Sequence, residues 1–135
     1  MKQQSDLAID FLKSHRLGIL ATGRRDGSPQ QALIAYNFDG KEVAINTGER
    51  SAKAKNLAKR PRASLSVTDG PKVVVVYGQA RIARGAEAEI YRERLQPPRP
   101  AADAPARTAP QRQQIGERIV IILTPEKILA NRLEG

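Results

Sequence analysis

The chain has 135 residues, enough for one domain and too few for two separate cores. Lys and Arg outnumber Asp and Glu 23 to 14, and the net charge of +9 favours an acidic partner: nucleic acid, an anionic membrane surface or a multiply charged small molecule. The absence of cysteine excludes disulfides, thiolate nucleophiles and Cys-ligated metals, and no apolar run approaches the roughly 18–20 residues of a membrane span.

The opening MKQQSDLAIDFLKSH has acids inside and only short apolar steps, so it does not read as a signal peptide, and a cytoplasmic protein is expected. Residues 5–15, SDLAIDFLKSH, predict a helix with Ser5 as its cap, Asp6 at its positive end, and Ala8, Phe11 and Leu12 at helical spacing. RLGILATGR is β-rich, and Asp26-Gly27 supplies a turn into QQALIAYNF, a returning strand with Ala32, Ile34, Tyr36 and Phe38 on one face. Asp39-Gly40 is a second tight turn, leading into KEVAINT. A basic helix follows, with Ser51 as N-cap and Pro61 as its stop. RASLSVTD, a DGP turn and the long KVVVVYGQARIA come next; Gly78 in mid-strand predicts a bulge or a close backbone approach. GAEAEIYRERL is helical. The Pro-rich stretch 96–114 reads as a loop, lid or linker insertion. ERIVIIL is a last core strand, and Thr124-Pro125 is expected to cap a short final turn.

These elements make a mainly β domain over residues 1–135, with six antiparallel strands, short helices, and edges best removed by closing into a barrel. Aromatic residues are only 4% of the chain, so the core must come from Val, Ile, Leu and Ala. A core that thin often leaves an apolar face for a second subunit.

Several chemistries drop out. There is no phosphate-cradling G-x-x-x-x-G-K-[ST] loop, no G-x-G-x-x-G after a strand and no G-x-S-x-G elbow. A single histidine, His15, suits a surface position at a helix C-terminus better than a zinc site. With proton-shuttling side chains this scarce, any catalysis belongs to a bound cofactor, and no residue is singled out as catalytic.

The segment R-SAKAKNLAKRP-R carries six positive charges and no acid. On a helix Ala54, Leu57 and Ala58 form the buried stripe, and Lys53 and Lys55 fall in the first turn, where a cation costs roughly 0.3–1 kcal/mol against the helix dipole. A helix start with a hydroxyl and two lysines is what a phosphate would stabilise, and Asn46-Thr47-Gly48 adds an amide and a second hydroxyl. A solvated basic helix is the plainer alternative. Nucleic acid is the competing anion, although few aromatic stacking partners lie nearby.

The run PQQALIAYNFDG, EVAINTGERSAKAKNLAKRPRASLSV and VVVVYGQARI resembles the pyridoxamine 5'-phosphate oxidase-like flavin-binding split barrels. Within them it is most similar to the small reductases of actinobacterial type that use the deazaflavin coenzyme F420. The resemblance covers roughly residues 5 to 95 and 117 to 130, and S-x-K-x-K-N-L followed by P-R-A-S-L is its most specific part. It implies a homodimeric split barrel with cofactors along the subunit interface. Thr47 with Asn46, and Ser51 with Lys53, would hold the cofactor phosphate, with Lys55 as a neighbouring positive group. Gln30 would lie near the ring, and the partner's long strand around Tyr77 would close the site.

The charge of Lys59, Arg60 and Arg62 beyond the phosphate site suits the oligoglutamate tail of F420 better than the compact FMN dianion. The implied activity is hydride transfer from reduced F420 to a conjugated small-molecule substrate. The alternatives are an FMN-dependent oxidase or oxidoreductase of the same fold, or a non-catalytic barrel that binds cofactor or nucleic acid. Tyr36 and Tyr77 are the strand tyrosines that could supply a proton, with packing as the plainer role for both.

Overall fold

The computed structural model describes residues 3–94 and 116–133, so the Pro-rich stretch 96–114 lies outside the described residues. The first amphipathic segment is helix α1 (Gln4–Ser14), which buries Ala8, Phe11 and Leu12. It starts one residue earlier than its sequence suggests. Gln3 occupies the cap position without a side-chain bond, and Ser5 lies inside the first turn. His15 ends the helix, stacked on Phe11 with ring centroids 4.0 Å apart and with Nε2 3.1 Å from Asp69 Oδ2.

Three Asp-Gly turns set the strand pairing. Gly27, Gly40 and Gly70 adopt φ of +89°, +99° and +58°, a region that residues with a Cβ avoid. They join β1 (Leu17–Gly23) to β2 (Pro29–Ala35), β3 (Asn37–Phe38) to β4 (Val43–Gly48), and β5 (Arg62–Asp69) to β6 (Lys72–Ala83). Helix α2 (Ala52–Lys59) links β4 to β5, and α3 (Gly85–Arg94) follows β6.

The stretch QQALIAYNF, expected as one strand, is divided at Tyr36, which makes seven strands rather than six. Tyr36 N donates to Arg16 O at 2.8 Å, and its hydroxyl donates to Leu12 O at 2.7 Å. From there β2 pairs with β1, whereas β3 pairs with β4. The sheet order is β2-β1-β5-β6-β7-β4-β3, so β2 and β3 are its two edges although one residue separates them in the chain. The antiparallel sheet must therefore curl until its edges meet at Tyr36, which is the split-barrel form.

The last strand, β7 (Arg118–Asn131), runs straight through Thr124-Pro125, where the sequence suggested a helical turn. Pairing decides this. Tyr77 faces Lys127 and Gly78 faces Pro125, which leaves Glu126 as the extra residue of a bulge. Proline fits beside a bulge because it has no N–H to offer a ladder. A Cβ on Gly78 would lie 2.0 Å from Thr124 O, so the close approach expected at this glycine is made by β7 itself.

The barrel interior is filled by Leu20, Leu65, Val67, Val76, Ile121 and Leu123, with Leu12 of α1 and Leu57 of α2 packed into it. The opposite face of β4 and β7 carries Ala44, Val120 and Ile122, covered by Ala88 and Tyr91 of α3. Burial on both sides explains why IVIIL is a continuous apolar run instead of an alternating one.

Candidate functional site

The site is built around the start of α2. Strand β4 ends at Gly48, and Ser51 N donates to Gly48 O at 3.1 Å to close a turn. Ser51 is the N-cap, as its position in the sequence indicates: its Oγ accepts from Ala54 N at 3.2 Å. The same oxygen accepts from Thr47 Oγ1 at 3.3 Å, so the two hydroxyls sit together at the mouth of the helix. Thr47 is 9% exposed, and Lys53 in the first turn is half-buried. The first turn contains no acid. Glu49, just before the helix, pairs with Arg84 at 3.2 Å.

Two hydroxyls and the positive end of a helix dipole stand together here, with a lysine in the same turn, and this set of groups fits a phosphate. Ala54 and Leu57 hold the helix on the barrel. Ala58, expected beside them, is exposed, because so short a helix touches the sheet along a single narrow line. Lys55 is also exposed and stands beside the corner on the solvent side. Arg60 ends the helix; its N–H donates to Asn56 O at 2.8 Å and its Nε to Gly23 O at 2.8 Å.

A second feature was not legible beforehand. Thr22 of β1 is 3% exposed, and its hydroxyl donates to Gln30 Oε1 at 3.2 Å while accepting from Asn56 Nδ2 at 3.1 Å. Gln30 is thereby tied to the second turn of α2. With a rise of about 1.5 Å per residue, Asn56 lies roughly 7.5 Å along the helix axis from Ser51. The one sequence signal for it is a single threonine at an inward position of the apolar strand LGILATG.

Thr22 also lines an open depression of about 280 Å³ shared with Gly23, Arg62, Ser64, Tyr77 and Gly78. Tyr77 is 43% exposed on the outer face of β6, opposite Ser64 of β5.

Asn46 stands apart. Successive residues of a strand point to opposite faces, so Asn46 leaves β4 on the α3 side while Thr47 points toward α2. Its Oδ1 accepts from Arg92 Nε at 3.1 Å. The structure therefore brings Thr47 and Ser51 together beside Lys53 in the first turn of α2, ties Gln30 through Thr22 to the second turn, leaves Tyr77 on the outer face of the sheet, and turns the Asn46 side chain away.

Tyr36 is not placed to give up a proton. It is 2% exposed, and burial pushes its phenol up to about 12. Tyr91, under α3, also has its phenol pushed up, by burial and by the Glu42 carboxylate that accepts its hydroxyl at 3.1 Å. Among the described residues no group of three or more His, Asp or Glu is placed to hold a metal ion. Nor is any helix among them long and apolar enough to cross a membrane.

The seven-stranded curled antiparallel sheet defines a split barrel of the pyridoxamine 5'-phosphate oxidase-like fold. The chain belongs to the pyridoxamine 5'-phosphate oxidase family, whose model matches residues 6–132. It is 34% identical over 104 residues to an F420H(2)-dependent biliverdin reductase of Mycobacterium tuberculosis, covering 71% of this chain and 75% of that protein. Among solved structures, the conserved hypothetical protein Rv2991 of Mycobacterium tuberculosis superposes with a TM-score of 0.69 and 23% identity, over 99% of this chain and 87% of that one. A structure named F420 reductase gives 0.67 and 20%, over 96% and 98% of the two chains. At these identities the structural matches speak for the fold alone.

Proposed function

We propose that the chain is an F420-dependent reductase that passes a hydride to a conjugated small molecule. The observation that carries this is the corner of Thr47, Ser51 and Lys53, a phosphate site with no acid in its helix turn. The 34% identity to a protein named for F420H(2) and biliverdin favours the deazaflavin, and an extended conjugated substrate, over other flavin-type groups. FMN is the second reading, because the phosphate corner suits its monoester equally well.

The bound deazaflavin supplies the hydride. The protein's residues do the rest. Thr47 and Ser51 orient the phosphate through their hydroxyls, and Lys53 neutralises it, aided at longer range by Lys55. Gln30, whose Oε1 accepts from Thr22, would lie near the ring. The side chain of Asn46, directed at Arg92, is left out of the phosphate contacts. Lys59 and Arg60 form the basic flank for further acidic groups of the coenzyme.

We also propose a homodimer. On the outer face of the sheet Leu33, Ile19, Ser66, Val75 and Leu129 make one continuous cross-strand row. Leu33, Ile19 and Leu129 of this row are exposed apolar side chains, and Tyr77 borders it in the next row, where a second copy would close the site.

Titrating the protein with F420 and with FMN at two salt concentrations tests the reading. Tight F420 binding, less salt-sensitive than binding of nucleic acid would be, is expected, together with weakening by about 1.5–3 kcal/mol in Lys53→Ala, the scale of a hydrogen bond to a charged group. Folding stability should hold or rise in that variant, since a cation leaves a helix N-terminus. Unchanged F420 affinity in Lys53→Ala would remove the phosphate assignment. Steeply salt-dependent binding of duplex DNA, with neither cofactor bound, would favour a nucleic-acid barrel instead.

A further inference from the structure

The depression beside Tyr77 has a chemistry of its own. Its wall is an exposed aromatic ring, and Gly23, Gly27 and Gly78 contribute no side chains to it. At its rim stands Arg62, whose side chain is 74% exposed and whose Nη1 lies 3.2 Å from Glu126 Oε1. Glu126 is the bulge residue of β7, the one without a partner on β6. A bulge re-aims the side chain it carries. Here it brings a carboxylate from β7 across β6 to an arginine of β5, a reach of two strands.

An ion pair between side chains this exposed is weak and exchanges readily. A guanidinium presented beside an aromatic face is also well shaped to take a planar carboxylate through two parallel N–H donors. We infer that the depression binds a flat, conjugated carboxylate, with Tyr77 stacking on the conjugated body, Arg62 taking the carboxylate, and Glu126 acting as the internal competitor that Arg62 leaves when the ligand arrives. This deepens the proposed reductase by naming its substrate class, and its relevance to turnover rests on that reading. The binding itself does not require the coenzyme. Carboxylates could come from the substrate or from the coenzyme's oligoglutamate tail, and only the former offers a conjugated plane to Tyr77.

The test is binding to the coenzyme-free protein, followed by amide chemical shifts, with trans-cinnamate, its uncharged isostere cinnamamide, and the non-conjugated dipeptide γ-glutamylglutamate as probes. Cinnamate is expected to shift the Gly23, Ser64 and Gly78 amides and to bind at least five-fold more tightly than cinnamamide. Arg62→Gln should abolish that preference. Glu126→Gln should tighten cinnamate two- to five-fold and leave cinnamamide unchanged. Tyr77→Ala should weaken both aromatic probes. Equal binding of cinnamate and cinnamamide, a preference that survives Arg62→Gln, or shifts confined to the α2 lysines would each overturn the inference. So would γ-glutamylglutamate binding as tightly as cinnamate with Tyr77→Ala without effect, because the site would then be one for the tail. Failure of the wild-type protein to bind F420, with the cinnamate response intact, would sink the reductase reading while leaving this site standing.

Discussion

Gly78→Ala gives a severe test of the barrel, and Gly23→Ala is its control. At Gly78 the new methyl would sit 2.0 Å from Thr124 O, 2.9 Å from Thr124 C and 3.2 Å from Pro125 Cα. All three are backbone atoms of β7, so no rotamer change relieves the overlap. Restoring ordinary contact requires the strands to part by more than ~1 Å, against a hydrogen-bonded spacing of about 4.8 Å. Losing two or so ladder bonds at ~0.5–1.5 kcal/mol each, with some packing, makes the cost about 2–4 kcal/mol. For a domain of this size the melting temperature should fall by about 6–16 °C. At Gly23 nothing lies within 4 Å of the added carbon, so Gly23→Ala should stay within about 0.5 kcal/mol of the wild type or gain slightly from a stiffer unfolded chain. Urea unfolding of both variants measures the difference. If Gly78→Ala also lies within about 0.5 kcal/mol of the wild type, the close β6–β7 crossing is wrong, and the placement of Glu126 goes with it.

Ser51→Ala removes the cap of α2 and should cost about 1 kcal/mol in denaturant unfolding, while the loss of one hydroxyl at the phosphate corner lowers cofactor affinity in the same titration. Thr22→Val keeps the shape of the side chain but deletes the bonds to Gln30 and Asn56, which are 3.2 and 3.1 Å long. A stability loss of about 1–2 kcal/mol is expected, and a double-mutant cycle with Asn56→Ala should show coupling between the two sites. Tyr36 gives the fold an alkaline limit. Its folded value of about 12 lies above the ordinary phenol value of 10.0, so the neutral phenol is favoured by folding. Its contribution is complete below pH 10 and is lost as the pH rises through about 10 to 12. Unfolding free energies measured against pH should decline less steeply in Tyr36→Phe, where Tyr91 alone of the two raised phenols remains, than in the wild type; the variant also forfeits about 0.5–1.5 kcal/mol from the hydroxyl bond to Leu12.

The sequence by itself determined what short-range chemistry can write. Asp26-Gly27, Asp39-Gly40 and Asp69-Gly70 place hairpins because their glycines take positive φ. Ser51 and Pro61 bracket α2 because a cap and a missing N–H act within one helical turn, and the lysines after Ser51 mark the anion site. The resemblance supplied the family. Where contacts cross the sheet, only the tertiary structure decided. Thr22 meets Asn56 across 34 residues and Arg62 meets Glu126 across 64, and neither pair has a local signal. Whether Asn46 joins Thr47 depends on which face of β4 each side chain leaves, a matter of strand alternation set by the curl of the whole sheet. Thr124-Pro125 reads locally as a helix start. It became strand because β6 offers a ladder on one side, and because Gly78, lacking a side chain, lets the bulged backbone of β7 come close.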